Sequence, residues 1–290
     1  ADATSPRRDG SPAQNLEFLE KELKTIVGME QVKNMLRSLC KKVSVDQQRS
    51  KYGFTNDQNL NMLFLGAPGT GKTSMARVVA RLLRHLGVLE KGHLVEVCRK
   101  DLVAEYSGQS AVKTAARVQE ALGGVLFVDE AYSLKHEGSK DSFGQEAVDT
   151  LVAEMENNRK RLVVIMAGYT KEMGEFMRSN SGLASRFPHT FEFACYSYAE
   201  MSEIFVGMAQ ARKLVVAVAP ETLSRLIADA LPRSEAAKGN ARAVRNLLER
   251  VLSKQTDRVA DKGTVSMESL LTLTEEDFDA PSTPGAQGAG

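Results

Sequence analysis

The feature that most constrains this chain is the octapeptide Gly66-Ala-Pro-Gly-Thr-Gly-Lys-Thr73. It stands between the apolar run Asn61–Leu65 and an amphipathic helical pattern that opens at Lys72. Glycines at these spacings let backbone N–H groups wrap an anion, and the N-terminus of the following helix adds partial positive charge. A lysine in the sixth loop step reaches β- and γ-phosphates, and the next hydroxyl serves a Mg²⁺ ion. The stretch Gly66, Ala67, Pro68, Gly69, Thr70, Gly71, Lys72, Thr73 and Ser74 is therefore expected to bind ATP with Mg²⁺.

The rhythm around the loop is that of an α/β protein. Short apolar runs at Asn61–Leu65, Leu94–Val97, Val125–Val128, Leu162–Ala167 and Thr190–Phe193 alternate with helical patterns. One of these spans Lys72–Leu86 and ends on Gly87, and another carries Val148, Leu151, Val152 and Met155. Apolar strands without polar alternation, joined by helices, predict a parallel sheet covered on both faces. The third run delivers Asp129 and Glu130 to its carboxyl end, where open α/β sheets bind ligands. Asp129 is expected to hold the Mg²⁺ shell through water, and Glu130 to orient the attacking water. From about Tyr196 only helical stretches are expected, at Tyr198–Arg212, Pro220–Ala230 and Ala241–Val259.

The predicted organisation is an α/β core over residues 15–194, with a helical segment at 15–60, and a small helical lid over 195–280. Residues 1–14 and 281–290, rich in Ser, Pro, Gly and Ala, read as disordered tails. Lys and Arg number 38 against 37 Asp and Glu, so the net charge of +1 gives no global field for nucleic acid. No apolar run approaches the ~18 residues of a membrane span. Three cysteines without a CxxC pair argue against a disulfide framework or zinc ribbon. The four histidines lack metal-binding spacing. The expected location is cytoplasmic, or the plastid stroma if a transit peptide has been removed.

With these motifs in order, the sequence resembles the AAA+ ATPases, and within them the CbbX/CfxQ group. That group takes in red-type Rubisco activases, a sporulation stage V protein and the ATPase domain of type VII secretion proteins. The resemblance runs through GAPGTGKT, DLVAEYSGQSAVKT, GGVLFVDEAYSL, FGQEAVDTLVAEMENN, LVVIMAGY, GLASRF and GNARAVRNLLE. It implies a P-loop NTPase core with a five-stranded parallel sheet and a C-terminal helical lid. It also implies roles that the residues alone leave undecided. Thr170 falls at the sensor-1 position and Arg186 at the arginine finger, which acts in trans on a neighbouring subunit's nucleotide. Arg242 matches sensor 2, with Arg245 one turn further as the alternative. Ile26, Val27 and Gly28 match the segment that packs on adenine, with ordinary core as the other reading. Tyr106, Ser107 and Gly108 match the central-pore loop, where an aromatic ring grips a threaded polypeptide.

The function these readings support is a ring ATPase, a homo-hexamer in the family, that remodels or partly threads a protein substrate. A nucleotide-switched scaffold with slow turnover is the alternative. A nucleic-acid motor is disfavoured by the near-neutral charge and the absence of a helix-turn-helix pattern.

Overall fold

A computed structural model of the chain describes residues 11–53, 59–106, 108–135, 142–179, 181–261 and 266–278. They divide into two compact units. The first comprises the described residues up to Gly66 together with Gly71–Phe193; the second comprises Ala67–Thr70 and the described residues from Ala194 onward.

The first unit opens with α1 (Pro12–Leu23) and α2 (Glu30–Ser50). Ser11 caps α1: its hydroxyl accepts from the Gln14 N–H at 3.3 Å, and the Gln14 side chain accepts from the Ser11 N–H at 2.8 Å. The expected disordered tail is therefore corrected at residues 11–14, where Ser and Pro are a helix start. Residues 1–10 and 279–290 lie outside the described residues. Helical spacing places Val32, Leu36, Leu39 and Val43 of α2 on one buried face. Asn15 donates to the Ser44 hydroxyl at 2.9 Å, fixing α1 against α2.

The chain then runs β1 (Met62–Gly66), α3 (Lys72–His85), β2 (Leu94–Val97), α4 (Arg99–Leu102), α5 (Gln109–Ala121) and β3 (Val125–Val128). It continues through α6 (Ser142–Asn157), β4 (Val163–Gly168), α7 (Thr170–Arg178), α8 (Ser181–Ala184) and β5 (His189–Phe193). The five strands are parallel in the order β2-β3-β4-β1-β5. Successive strand residues face opposite sides. Phe64, Phe127, Ile165 and Phe191 therefore pack with α1, α2 and α3, while Leu63, Leu126, Val164 and Met166 pack with α5, α6 and α7. With both faces covered, the central strands β1, β3 and β4 read as unbroken apolar runs.

The second unit contains α9 (Tyr198–Ala211), β6 (Val215–Val216), α10 (Pro220–Ala230), α11 (Arg233–Gly239), α12 (Ala241–Asp261), α13 (Met267–Leu271) and β7 (Thr272–Leu273). Its core gathers Phe205, Ile227, Val244, Leu247 and Leu248. The expectation of helices alone is corrected here. β6 and β7 pair in parallel, Val215 beside Thr272 and Val216 beside Leu273, and two residues are too few for a sequence period. Arg258 on α12 grips Asp277 with two bonds of 2.6 and 2.9 Å, closing the described C-terminal end onto that helix.

Candidate nucleotide site

β1 ends at Gly66 with φ 153°, and a Cβ there would sit 2.5 Å from the Phe193 carbonyl oxygen on β5. Only glycine leaves the sheet at this point. Gly69 (φ 72°) and Gly71 (φ 90°) turn the loop through left-handed backbone, and α3 starts at Lys72. Lys72 Nζ donates to the Gly66 carbonyl at 2.7 Å, folding the ammonium back over the mouth of β1. Thr73 is half-buried and Ser74 exposed on the first turn of α3.

Two strands away, β3 ends at Val128 and hands on Asp129 and Glu130, both exposed. The Asp129 N–H is held by the Val97 carbonyl at 2.8 Å, and one Asp129 carboxylate oxygen accepts the Glu130 N–H at 3.1 Å. Glu130 adopts φ 48°, left-handed backbone that turns the chain sharply away from the strand. β4 lies between β1 and β3, with Leu65 opposite Gly168 and Val128 opposite Met166. Thr170, exposed and first in α7, therefore emerges between the carboxyl ends of β1 and β3. Lys72, Thr73, Asp129, Glu130 and Thr170 thus share the carboxyl edge of three adjacent strands, the customary ligand edge of such sheets.

Sequence reasoning missed the tyrosine pair near Glu130. The Tyr132 and Tyr169 rings lie 6.1 Å apart, and a Cβ on Gly168 would strike Tyr132 at 2.8 Å. Burial, and then the charge of Glu130, push the Tyr132 hydroxyl up to about 12, so it keeps its proton at neutral pH. The Thr73 hydroxyl and Asp129 carboxylate are hard oxygen donors suited to Mg²⁺, which takes few protein ligands and completes its shell with water and phosphate. Among the described residues no group of three His, Cys, Asp or Glu forms a closed metal cage.

Arg186 lies at the opposite edge. Its carbonyl accepts from Asn59 and Asn61 side chains at 2.9 and 3.2 Å, just ahead of β1. Five strand steps of about 3.3 Å put this edge roughly 16 Å from Gly66. The guanidinium donates to the Gly182 carbonyl at 2.8 Å and lies 3.7 Å from Glu156, while its Nε has no partner among the described residues. A cavity of about 570 Å³, lined in part by Asn61, Glu156 and Arg186, opens at this edge rather than at the glycine loop.

Tyr106 is 68 % exposed in the connection between α4 and α5, and Gly108 (φ 79°) precedes α5. Ser107 lies outside the described residues. Ile26, Val27 and Gly28 form the half-buried link between α1 and α2, with Gly28 in left-handed backbone.

In the second unit, Arg242 is exposed on the first turn of α12. A Cβ on Gly69 would meet the Gly239 carbonyl at 2.3 Å and the Arg242 nitrogen at 3.0 Å, so this turn abuts the glycine loop. Arg245, one turn further along, is exposed and near Glu249. The sequence reading also passed over Asn240 and Tyr196, which bond to residues 68 and 70.

Comparison with known proteins agrees with this architecture. Residues 62–194 match the family model for "ATPase family associated with various cellular activities (AAA)", and residues 197–288 match the AAA lid domain. The chain is 39 % identical to stage V sporulation protein K of Bacillus subtilis over 91 % of its own length and 82 % of that protein. It is 41 % identical to protein CbbX of Cereibacter sphaeroides over 94 % and 88 %. Identity to the ESX-3 secretion system protein EccA3 of Mycolicibacterium smegmatis is 39 %, over all of this chain but only 50 % of that longer protein. A RuvB mutant of Thermotoga maritima shares the fold with a TM-score of 0.58, covering 88 % of this chain and 69 % of that one, at 19 % identity. With family models matched over residues 62–194 and 197–288, and CbbX and stage V sporulation protein K matched over most of their own length, the chain belongs to the AAA+ ATPase family, in the group of CbbX, stage V sporulation protein K and EccA.

Proposed function

We propose that this chain hydrolyses ATP within a ring of identical subunits and uses the cycle to remodel or partly thread a polypeptide. The observation that carries the reading is the separation of Lys72 and Arg186. They stand at opposite edges of one sheet, farther apart than an arginine side chain can reach. A hydrolytic set that includes both needs two copies of the chain. Hence Lys72 and Thr73 would bind the β- and γ-phosphates and Mg²⁺, with Asp129 on the metal's water shell. Glu130 and Thr170 would place the attacking water, and Arg186 would leave Gly182 and Glu156 to meet the γ-phosphate of the next subunit. Arg242 would sense the γ-phosphate from the lid. An exposed Tyr106, two residues ahead of the left-handed Gly108, suits a loop that grips passing chain without sequence preference.

Mixing tests the ring. Lys72→Ala and Arg186→Ala should each reduce turnover at least a hundredfold alone. Mixed subunits should regain activity, because an interface that pairs an intact loop with an intact Arg186 is whole. Absence of recovery in co-assembled rings would sink the trans role. Glu130→Gln should bind ATP normally and hardly hydrolyse it. Tyr106→Ala should retain ATPase activity while losing polypeptide stimulation; a wild type whose slow rate no polypeptide alters would favour a nucleotide-switched scaffold.

A further inference from the structure

The four carbonyls of residues 67–70 are all engaged. The Thr70 hydroxyl donates to Ala67 O at 2.8 Å, and the Asn240 side-chain amide donates to Pro68 O at 3.3 Å. The Ala241 backbone N–H donates to Gly69 O at 3.2 Å, and the Tyr196 hydroxyl donates to Thr70 O at 3.3 Å. In a planar trans peptide the C=O and the following N–H point in opposite directions. Holding the carbonyls of 68, 69 and 70 on one side therefore turns the N–H groups of Gly69, Thr70 and Gly71 to the other. Those three N–H groups have no acceptor among the described residues. Successive N–H groups turned to one side make an anion-binding concavity.

Asn240 is built into this arrangement at a cost in backbone strain. It is fully buried, with φ 46° and ψ −128°, a region that glycine alone occupies freely. Its amide carbonyl accepts the Tyr196 N–H at 3.0 Å, while its NH₂ group serves Ala237 O at 2.9 Å as well as Pro68 O. One side chain thereby joins the end of α11, the segment leading into α9 and the glycine loop.

We propose that Asn240 and Tyr196 are positioning residues that fix the peptide planes of the glycine loop, so that its N–H groups face phosphate oxygens before nucleotide arrives. This rests on the reading of Gly66–Thr73 as the phosphate site. Burial, followed by the charge of Glu200, pushes the Tyr196 hydroxyl up to about 12, so it stays a donor across the working pH range.

Titration of the full chain with Mg·ADP and Mg·ATPγS tests this. Loss of one such bond is worth about tenfold in affinity. Tyr196→Phe and Asn240→Ala should each raise the nucleotide Kd about tenfold, and the double variant should raise it further. KM for ATP should rise in parallel while kcat at saturation stays within about threefold. Cys195→Ala removes a sulfur 3.7 Å from the Asn240 amide but no loop contact, and should bind as wild type. Folded variants with wild-type Kd, or with kcat lost and KM unchanged, would overturn the proposal. Should Asn240→Ala fail to fold, Tyr196→Phe decides alone. Lys72→Ala separates the two readings: if it binds nucleotide like wild type, the phosphate site itself is misassigned and the proposal falls with it. If it loses binding while Tyr196→Phe and Asn240→Ala do not, only the positioning role fails.

Discussion

At the scale of single residues, the glycines of the chain are not equivalent, and the difference is measurable. Gly87 has φ 71° with nothing within 4 Å of where a Cβ would sit, so alanine there meets only backbone strain of about 1 kcal/mol. Gly66 has φ 153°, and its Cβ would lie 2.5 Å from Phe193 O and 2.9 Å from Phe193 Cβ. Alanine there adds displacement of β5 to the strain, about 2–4 kcal/mol in all. Denaturant titration should show Gly66→Ala well below Gly87→Ala in stability; equal midpoints would show that the β1–β5 approach is looser than these distances. The same scale explains what the sequence could and could not disclose. Lys72, Thr73, Asp129 and Glu130 stand out as candidates in the sequence because the pattern that nominates them is local: a short stretch contains the loop, and a strand end contains both carboxylates. Asn240 acts on Pro68 across 172 positions, and no spacing rule connects an asparagine to so distant a carbonyl. Tyr132 was hidden for a related reason, since its ring takes its place only where Gly168, 36 positions away, leaves room for it.

At the scale of elements, the boundaries of the five parallel strands were legible to within one residue from the apolar runs alone. β2 and β3 start and end where the apolar runs do, and β1 and β4 differ from them by one residue at either end. The first turn of α1 and the pair β6 and β7 were missed because a cap looks like a linker and a two-residue strand has no period. The edge strand β5 carries a titration consequence. Burial, then the nearby charge of Lys42, hold the His189 imidazole below its ordinary range. Between that lowered value and the unfolded value near 6.5, the unfolded chain binds more protons. Stability must therefore fall as pH drops through 6.5 toward the folded-state value. His189→Gln should flatten that part of a stability-against-pH curve. An unchanged slope would assign the acid sensitivity to other groups. On β1, Phe64 is fully buried, with ring centroids 5.4 Å from Phe191 and 5.0 Å from Phe193. Phe64→Ala should cost about 3–5 kcal/mol.

At the scale of the whole molecule, the division into units does not follow the order of the chain. Residues 67–70 leave β1 of the first unit and belong to the second, whose groups hold three of their carbonyls. The core of the second unit, Val244, Leu247, Leu248 and Val251 on α12 among it, exchanges its buried amides only when that unit opens. Opening must break the bonds from Asn240, Ala241 and Tyr196 to the glycine loop. A nucleotide bound on that loop, as proposed, would therefore penalise opening, because the open form would have lost the loop geometry set by those bonds. The penalty for a ligand that binds only the closed form is about 2.7 kcal/mol at a hundred times Kd, equivalent to about a hundredfold slower exchange. Mg·ADP at that level should accordingly slow hydrogen exchange along Val244–Val251 as well as at the start of α3, and Tyr196→Phe should weaken the effect on α12. Protection confined to α3, with α12 exchanging at its nucleotide-free rate, would mean that the loop reaches its binding geometry without its bonds to Asn240, Ala241 and Tyr196.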